Sequence, residues 1–265
     1  MILPIPIFQV DAFTSKLFGG NPAAVCILDQ EIPDPILQKI AAENNLAETA
    51  YVWKFNDHYK IRWFTPEIEV DLCGHATLAS AYVLFSFCNE RQNPILFDSR
   101  SGELLVSIKN DGKLILDFPE DTIEECEIPI QISKALEVNI LNCFRGKADY
   151  LVHIESEETL QNLQPDLSFI KKLNSRGIIV TAKGSEFDFV SRCFFPQSGI
   201  DEDPVTGSAH TTLVPFWRPL LNKKHFIAKQ ISPRQGILYL ESAGSRVLIG
   251  GYAAHYLTGT IFIEV

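Results

Sequence analysis

The chain has no uninterrupted apolar stretch approaching the ~20 residues that a membrane-spanning helix requires. It also has no basic segment ahead of its apolar opening, MILPIPIFQV. These absences make the opening an expected strand rather than a signal peptide, and the protein an expected soluble, cytoplasmic one with no membrane partner. A basic stripe is missing as well: 23 Lys and Arg are scattered among 33 Asp and Glu, for a net charge of −10, which argues against nucleic acid and anionic surfaces as partners. None of the six cysteines (26, 73, 88, 126, 143 and 193) forms a CxxC pair, and none occurs from 194 to 265. Free thiols are expected rather than a disulfide framework or a structural zinc site. The stretch Gly19-Gly20-Asn21-Pro22-Ala23-Ala24 has neither the P-loop nor the dinucleotide glycine spacing, and reads as a tight turn whose backbone could line a cleft.

What is present is ordinary globular material, with 46% hydrophobic and 21% charged residues in 265, enough for two compact lobes. Alternating or β-branched runs predict strands at 5–13, 48–54, 58–64, 104–109 and 113–118. Further strands are expected near 149–154, 177–182, 187–195, 226–231, 236–241, 245–250 and 258–264. Helical spacing appears at 35–45 and 76–87, the second apolar on nearly every face and therefore expected to be buried, and a small-residue helix begins near Ser208. The acidic, proline-flanked segment DFPEDTIEECEIP places a boundary between lobes of residues 1–122 and 123–265, with the last strand a candidate to cross back to the first lobe.

One internal echo organises these elements. Residues 62–66 read RWFTP and residues 192–196 read RCFFP; Gly74-His75-Ala76 follows the first, and Gly207-Ser208-Ala209 the second. Each copy offers a strand, a proline turn, an acidic loop and a glycine opening a helix of small residues, the pattern of a duplicated unit. A duplication of this kind is expected to set equivalent loops opposite one another. Helix N-termini leave backbone N–H groups unpaired and favour negative charge, so two such ends would hold a small carboxylate; the alternative is two helices packed through small residues.

The ionisable candidates lie beside these glycines. His75, in the first helical turn, is expected to be kept neutral by the positive helix end and so able to act as acid or base; the alternative is a structural histidine. Glu48, in NNLAETAYV, interrupts an apolar strand entry, where partial burial would suit it to act as a general base; the alternative is an edge-strand Glu facing water. Asp203 stands four residues before Gly207 and serves either the site or the turn, while Asp201 and Glu202 read as loop solvation. Cys73 adjoins a helix start that would stabilise its thiolate, which raises a thiol-based racemase or epimerase as a rival; the cysteine-free second copy argues against it. Cys73-x-His75 with Asp203 matches no recognised ligand spacing, so no metal is expected.

VDAFTSKLFGGNPAAV, LAETAYV, RWFTPEIEVDLCGHATLASAYVL and DEDPVTGSAH, with PFW and SPRQG downstream, resemble the PhzF-like phenazine-biosynthesis family, within the wider diaminopimelate-epimerase-like fold. The resemblance implies an α+β fold of two pseudo-symmetric lobes, each a strand-rich half-barrel around a central helix. It implies a cofactor-independent isomerase that moves a proton between carbons of a small carboxylate-bearing metabolite, in a homodimer. Glu48, His75 and Asp203 would be catalytic; Gly74, Gly207, Ser208 and Asn21 would bind substrate. The chain departs from the paired-cysteine epimerases, and has Ala47 where many relatives have Ser. A carboxylate-binding protein without turnover is the alternative.

Overall fold

In a computed structural model that describes residues 2–264, the chain divides into two units. The first runs up to Asp117 and resumes at Gly250; the second is Phe118–Ile249.

The first unit is built on β1 (Ile2–Ala12), β2 (Asn21–Leu28), α1 (Asp34–Asn44), β3 (Glu48–Phe55), β4 (His58–Phe64) and α2 (Gly74–Phe87). Strand β2 lies between β1, antiparallel, and β3, parallel, with Ala23 opposite Glu48; β3 then pairs antiparallel with β4. Ten of the fourteen residues of α2 are buried, as a helix apolar all round requires. The helix packs against β1, β2 and β3 and against the final strand, Ala253–Glu264. Its two interior hydroxyls are satisfied within the helix, Thr77 Oγ1 donating to the Cys73 carbonyl and Ser80 Oγ to that of Ala76. The final strand pairs with the whole of β1, from Ile2 opposite Glu264 to Ala12 opposite Ala253. Periodicity marked only its second half, because its exposed residues do not alternate cleanly.

The Gly19–Ala24 stretch is a turn only as far as Gly20. Gly20 adopts φ +62, and a Cβ there would sit 2.1 Å from the Ala12 carbonyl oxygen, so the chain can reverse tightly enough to start β2 at Asn21. A second positive φ, 48 at Asn45, closes α1 and sends the chain into β3 with Glu48 as its first residue.

The second unit mixes parallel and antiparallel pairs. Asp149–Ile154 runs parallel to Gly177–Lys183, which is antiparallel to Phe189–Phe195, which is in turn parallel to His225–Gln230. Its longest helix, Ala209–Leu221, carries Pro215 and Pro219 inside it. Trp217 from this helix stacks on Phe189 at 5.6 Å and donates its indole N–H to Thr181 Oγ1. Short helices at Ile130–Leu136, Glu157–Gln161 and Leu167–Ile170 line the apolar core of this unit and have too little sequence periodicity to be read in advance. No helix among the described residues is long and apolar enough to cross a membrane.

The echo has a physical counterpart in each unit. Arg62 on β4 holds Glu69 with two hydrogen bonds of 2.7 Å, and Arg192 holds Glu202 with two of 2.8 Å. Each guanidinium also covers a phenylalanine two residues on, Phe64 at 5.2 Å and Phe194 at 5.1 Å. Each acid sits on a short strand returning against the strand of its arginine, and each lies five residues before the helix glycine. The three extra residues of the second copy are taken up by the 3-10 turn Pro196–Ser198. Glu202, expected to be loop solvation, is therefore a buried-arginine partner; sequence alone could not show this because the contact spans ten residues of irregular turn.

Candidate active site

In the first unit, the structure gathers four of the residues singled out above. Glu48, at the head of β3, is 8% exposed, His75 4% and Cys73 7%, and Asn21 is fully buried. The water-facing reading of Glu48 is excluded: β3 lies between β2 and β4 rather than at an edge, and Glu48 itself is buried. His75 Nε2 stands 3.2 Å from Glu48 Oε2, and His75 Nδ1 lies 3.1 Å from the Asn21 amide nitrogen and 3.5 Å from Cys73 Sγ. Glu48 Oε2 is buried, and it faces His75 Nε2 as an ion pair. Gly74 opens α2 behind an extended Cys73, with no side-chain cap on the helix end.

The electrostatics correct two expectations. Burial pushes His75 down, but the Glu48 carboxylate and the hydrogen-bonding contacts of Cys73 and Glu48 push it up by more, so its pKa lies well above the usual imidazole value. A carboxylate at 3.2 Å outweighs the fractional charge of a helix end, and His75 holds its proton rather than staying neutral. Burial, reinforced by the Glu48 charge, raises the Cys73 thiol to about 11. The helix start does not make Cys73 a thiolate near neutral pH, which removes the electronic basis of the thiol rival.

In the second unit, Asp203 is 7% exposed and accepts a 2.5 Å hydrogen bond from Thr206 Oγ1 on Oδ2. Gln230 fixes the same loop by donating to the Asp203 carbonyl at 2.7 Å and accepting from the Thr206 N–H at 2.8 Å. Ser208 caps the helix of this unit by position only, and its Oγ accepts from Arg176 Nη1 at 3.4 Å. Arg176 is in turn clamped by the buried Asp149. Thr206 occupies the place that Cys73 has in the first copy, immediately before the helix glycine. Sequence reasoning missed Thr206, Gln230 and Arg176; only Thr206, within the quoted motif, carried a signal.

His210, which closes DEDPVTGSAH, is fully buried, with Nδ1 2.9 Å from the Thr206 carbonyl and Nε2 without a hydrogen-bond partner. Burial lowers its pKa to about 4. The unfolded chain takes up this proton near pH 6.5, whereas the folded chain resists it until about pH 4. The protein should therefore lose roughly 3 kcal/mol of stability as the pH falls through that window, and His210→Gln should flatten this part of the curve. Urea unfolding at pH steps between 7 and 4 measures both; equal slopes for the two proteins would contradict the assignment.

A strand-rich α+β fold of this kind is shared with a solved hydroxyproline epimerase from Agrobacterium vitis. The two are 10% identical with a TM-score of 0.60, over 98% of this chain and 92% of that one, a likeness of fold alone. The chain thus has a diaminopimelate-epimerase-like fold. Within it, the chain belongs to the phenazine biosynthesis-like protein family, whose model matches residues 10–259. An uncharacterized isomerase from Pseudomonas aeruginosa is 47% identical over 98% of this chain and 100% of its own length. A solved phenazine biosynthesis PhzF-family protein from Enterococcus faecalis is 44% identical with a TM-score of 0.95, over 98% of this chain and 100% of that one.

Proposed function

We propose that this protein is an isomerase that moves a proton between carbons of a small carboxylate-bearing metabolite, without a cofactor, using Glu48 as the base. The observation that carries the reading is the buried pair of Glu48 and His75, with Oε2 3.2 Å from Nε2. A buried carboxylate held beside an imidazole that can exchange a proton with it is placed to take a proton from carbon. His75, at 3.2 Å, can return a proton. The Asn21 amide suits this exchange, since an amide can offer an imidazole nitrogen either N–H or oxygen.

Gly74 lets a substrate carboxylate approach the uncapped N–H groups at the start of α2, where developing negative charge is stabilised by about 3–4 kcal/mol for each well-placed donor. Asp203, Gly207 and Ser208 enter the proposal through the sequence resemblance, as a second acid and a second carboxylate-binding helix start. The relatives named isomerases support the same reaction class.

The test is a thermal-shift screen of small mono- and dicarboxylic acids, followed by incubation of each stabilising compound in D2O. At least one should both raise the melting temperature and take up deuterium on carbon. Stabilising acids that never exchange or convert would overturn the isomerase reading in favour of a binding protein.

A further inference from the structure

Glu48, Cys73 and His75 are all buried, and one ligating atom from each lies within 4.8 Å of the other two. His75 Nε2 is 3.2 Å from Glu48 Oε2 and 3.9 Å from Cys73 Sγ. Around a tetrahedral zinc ion with bonds of ~2.0 Å to nitrogen and oxygen and ~2.3 Å to sulfur, those two separations would be about 3.3 and 3.6 Å. The third separation, Glu48 oxygen to Cys73 Sγ, lies within 4.8 Å and would need to be about 3.5 Å, so the side chains close on one ion with a rotamer adjustment of up to about an ångström. An imidazole, a thiolate and a carboxylate together suit zinc better than magnesium or calcium, which prefer oxygen alone.

We propose that Glu48, Cys73 and His75 form a three-ligand zinc site, and that its occupation and the acid/base role of Glu48 exclude each other. The site itself is independent of the isomerase reading; the mutual exclusion rests on it. Zinc would take the Glu48 lone pair that proton transfer needs, displace the Cys73 thiol proton and the His75 Nε2 proton to solvent, and leave its fourth position open. Sequence spacing, weighing Cys73-x-His75 with Asp203, led to no metal being expected; the structure sets Glu48 from β3 beside Cys73 and His75.

The experiment titrates chelator-treated protein with zinc against a chromophoric chelator, and with cobalt as the spectroscopic probe. One equivalent per chain should bind, and the cobalt form should show a sulfur-to-metal charge-transfer band. Cys73→Ser should abolish the band and weaken zinc by more than the roughly 10–100-fold that loss of an outer-shell partner costs. Glu48→Gln, which is isosteric, should weaken zinc similarly while keeping the band, so the site is still tested if Cys73→Ser fails to fold. Cys88→Ser, at the exposed cysteine, should change neither measurement. Absence of stoichiometric binding, or an affinity unmoved by Cys73→Ser and Glu48→Gln, would overturn the site. Full-rate deuterium incorporation by zinc-loaded protein would overturn the exclusion. Binding as described, with no carboxylic acid ever exchanging, would leave the zinc site standing and remove the isomerase.

Discussion

Glu48→Gln is expected to slow carbon-bound proton exchange by roughly 100- to 10,000-fold, the usual contribution of a positioned general base. The change keeps the shape of the side chain and removes only its capacity to take a proton. Because Glu48 is buried against His75 Nε2, the amide can still meet the ring, and the fold should survive. The loss should therefore appear in kcat, with thermal stabilisation by a bound carboxylate retained. A purely structural carboxylate would give the opposite result, a lower melting temperature with turnover per folded molecule unchanged. Cys73 offers the complementary control: a thiol raised to about 11 is not a base at neutral pH, so its alkylation should not mimic Glu48→Gln in rate except by obstructing the site.

Arg192→Met is expected to cost the fold about 3–5 kcal/mol, the typical cost of breaking a buried ion pair from one side. For a chain of this size that corresponds to a drop in melting temperature on the order of 10 °C. The Arg192 side chain is 9% exposed, and it donates to the Leu160 and Leu163 carbonyls as well as to both oxygens of Glu202. Methionine fills the volume but leaves a largely buried carboxylate and two carbonyls without their donor. The equivalent change in the first unit, Arg62→Met, should cost distinctly less. Glu69 keeps a second partner in Arg100 at 2.7 Å, and the other acids on Arg62, Asp34 and Glu31, are each 62% exposed and can be solvated. Paired denaturation curves measure the difference, and equal losses at the two arginines would show that burial of the partner does not set the cost.

Local pattern revealed most of the strands, both principal helices and the duplicated Arg-x-Phe-x-Pro unit, because each depends on residues close together in the chain. The acid on the returning strand was harder to see, since Glu69 and Glu202 stand at different distances from their arginines and only the count back from the helix glycine is the same. Glu48 was visible as a charge interrupting an apolar strand, but its burial depends on β2, which begins at Asn21, lying alongside it. Reading Gly19–Ala24 as turn throughout hid that strand, and with it the role of Asn21 beside His75. The protonation of His75 was misjudged for the same reason. The helix end is legible in sequence, whereas the carboxylate that outweighs it comes from 27 residues away in the chain.

The most direct test of the central claim is mass and NMR analysis of product formed from a stabilising carboxylic acid in D2O, with wild-type protein and Glu48→Gln side by side. The account predicts deuterium at the carbon that receives the proton with the wild type, and neither label nor conversion above background with Glu48→Gln. Conversion by Glu48→Gln at the wild-type rate, with the same label, would contradict it.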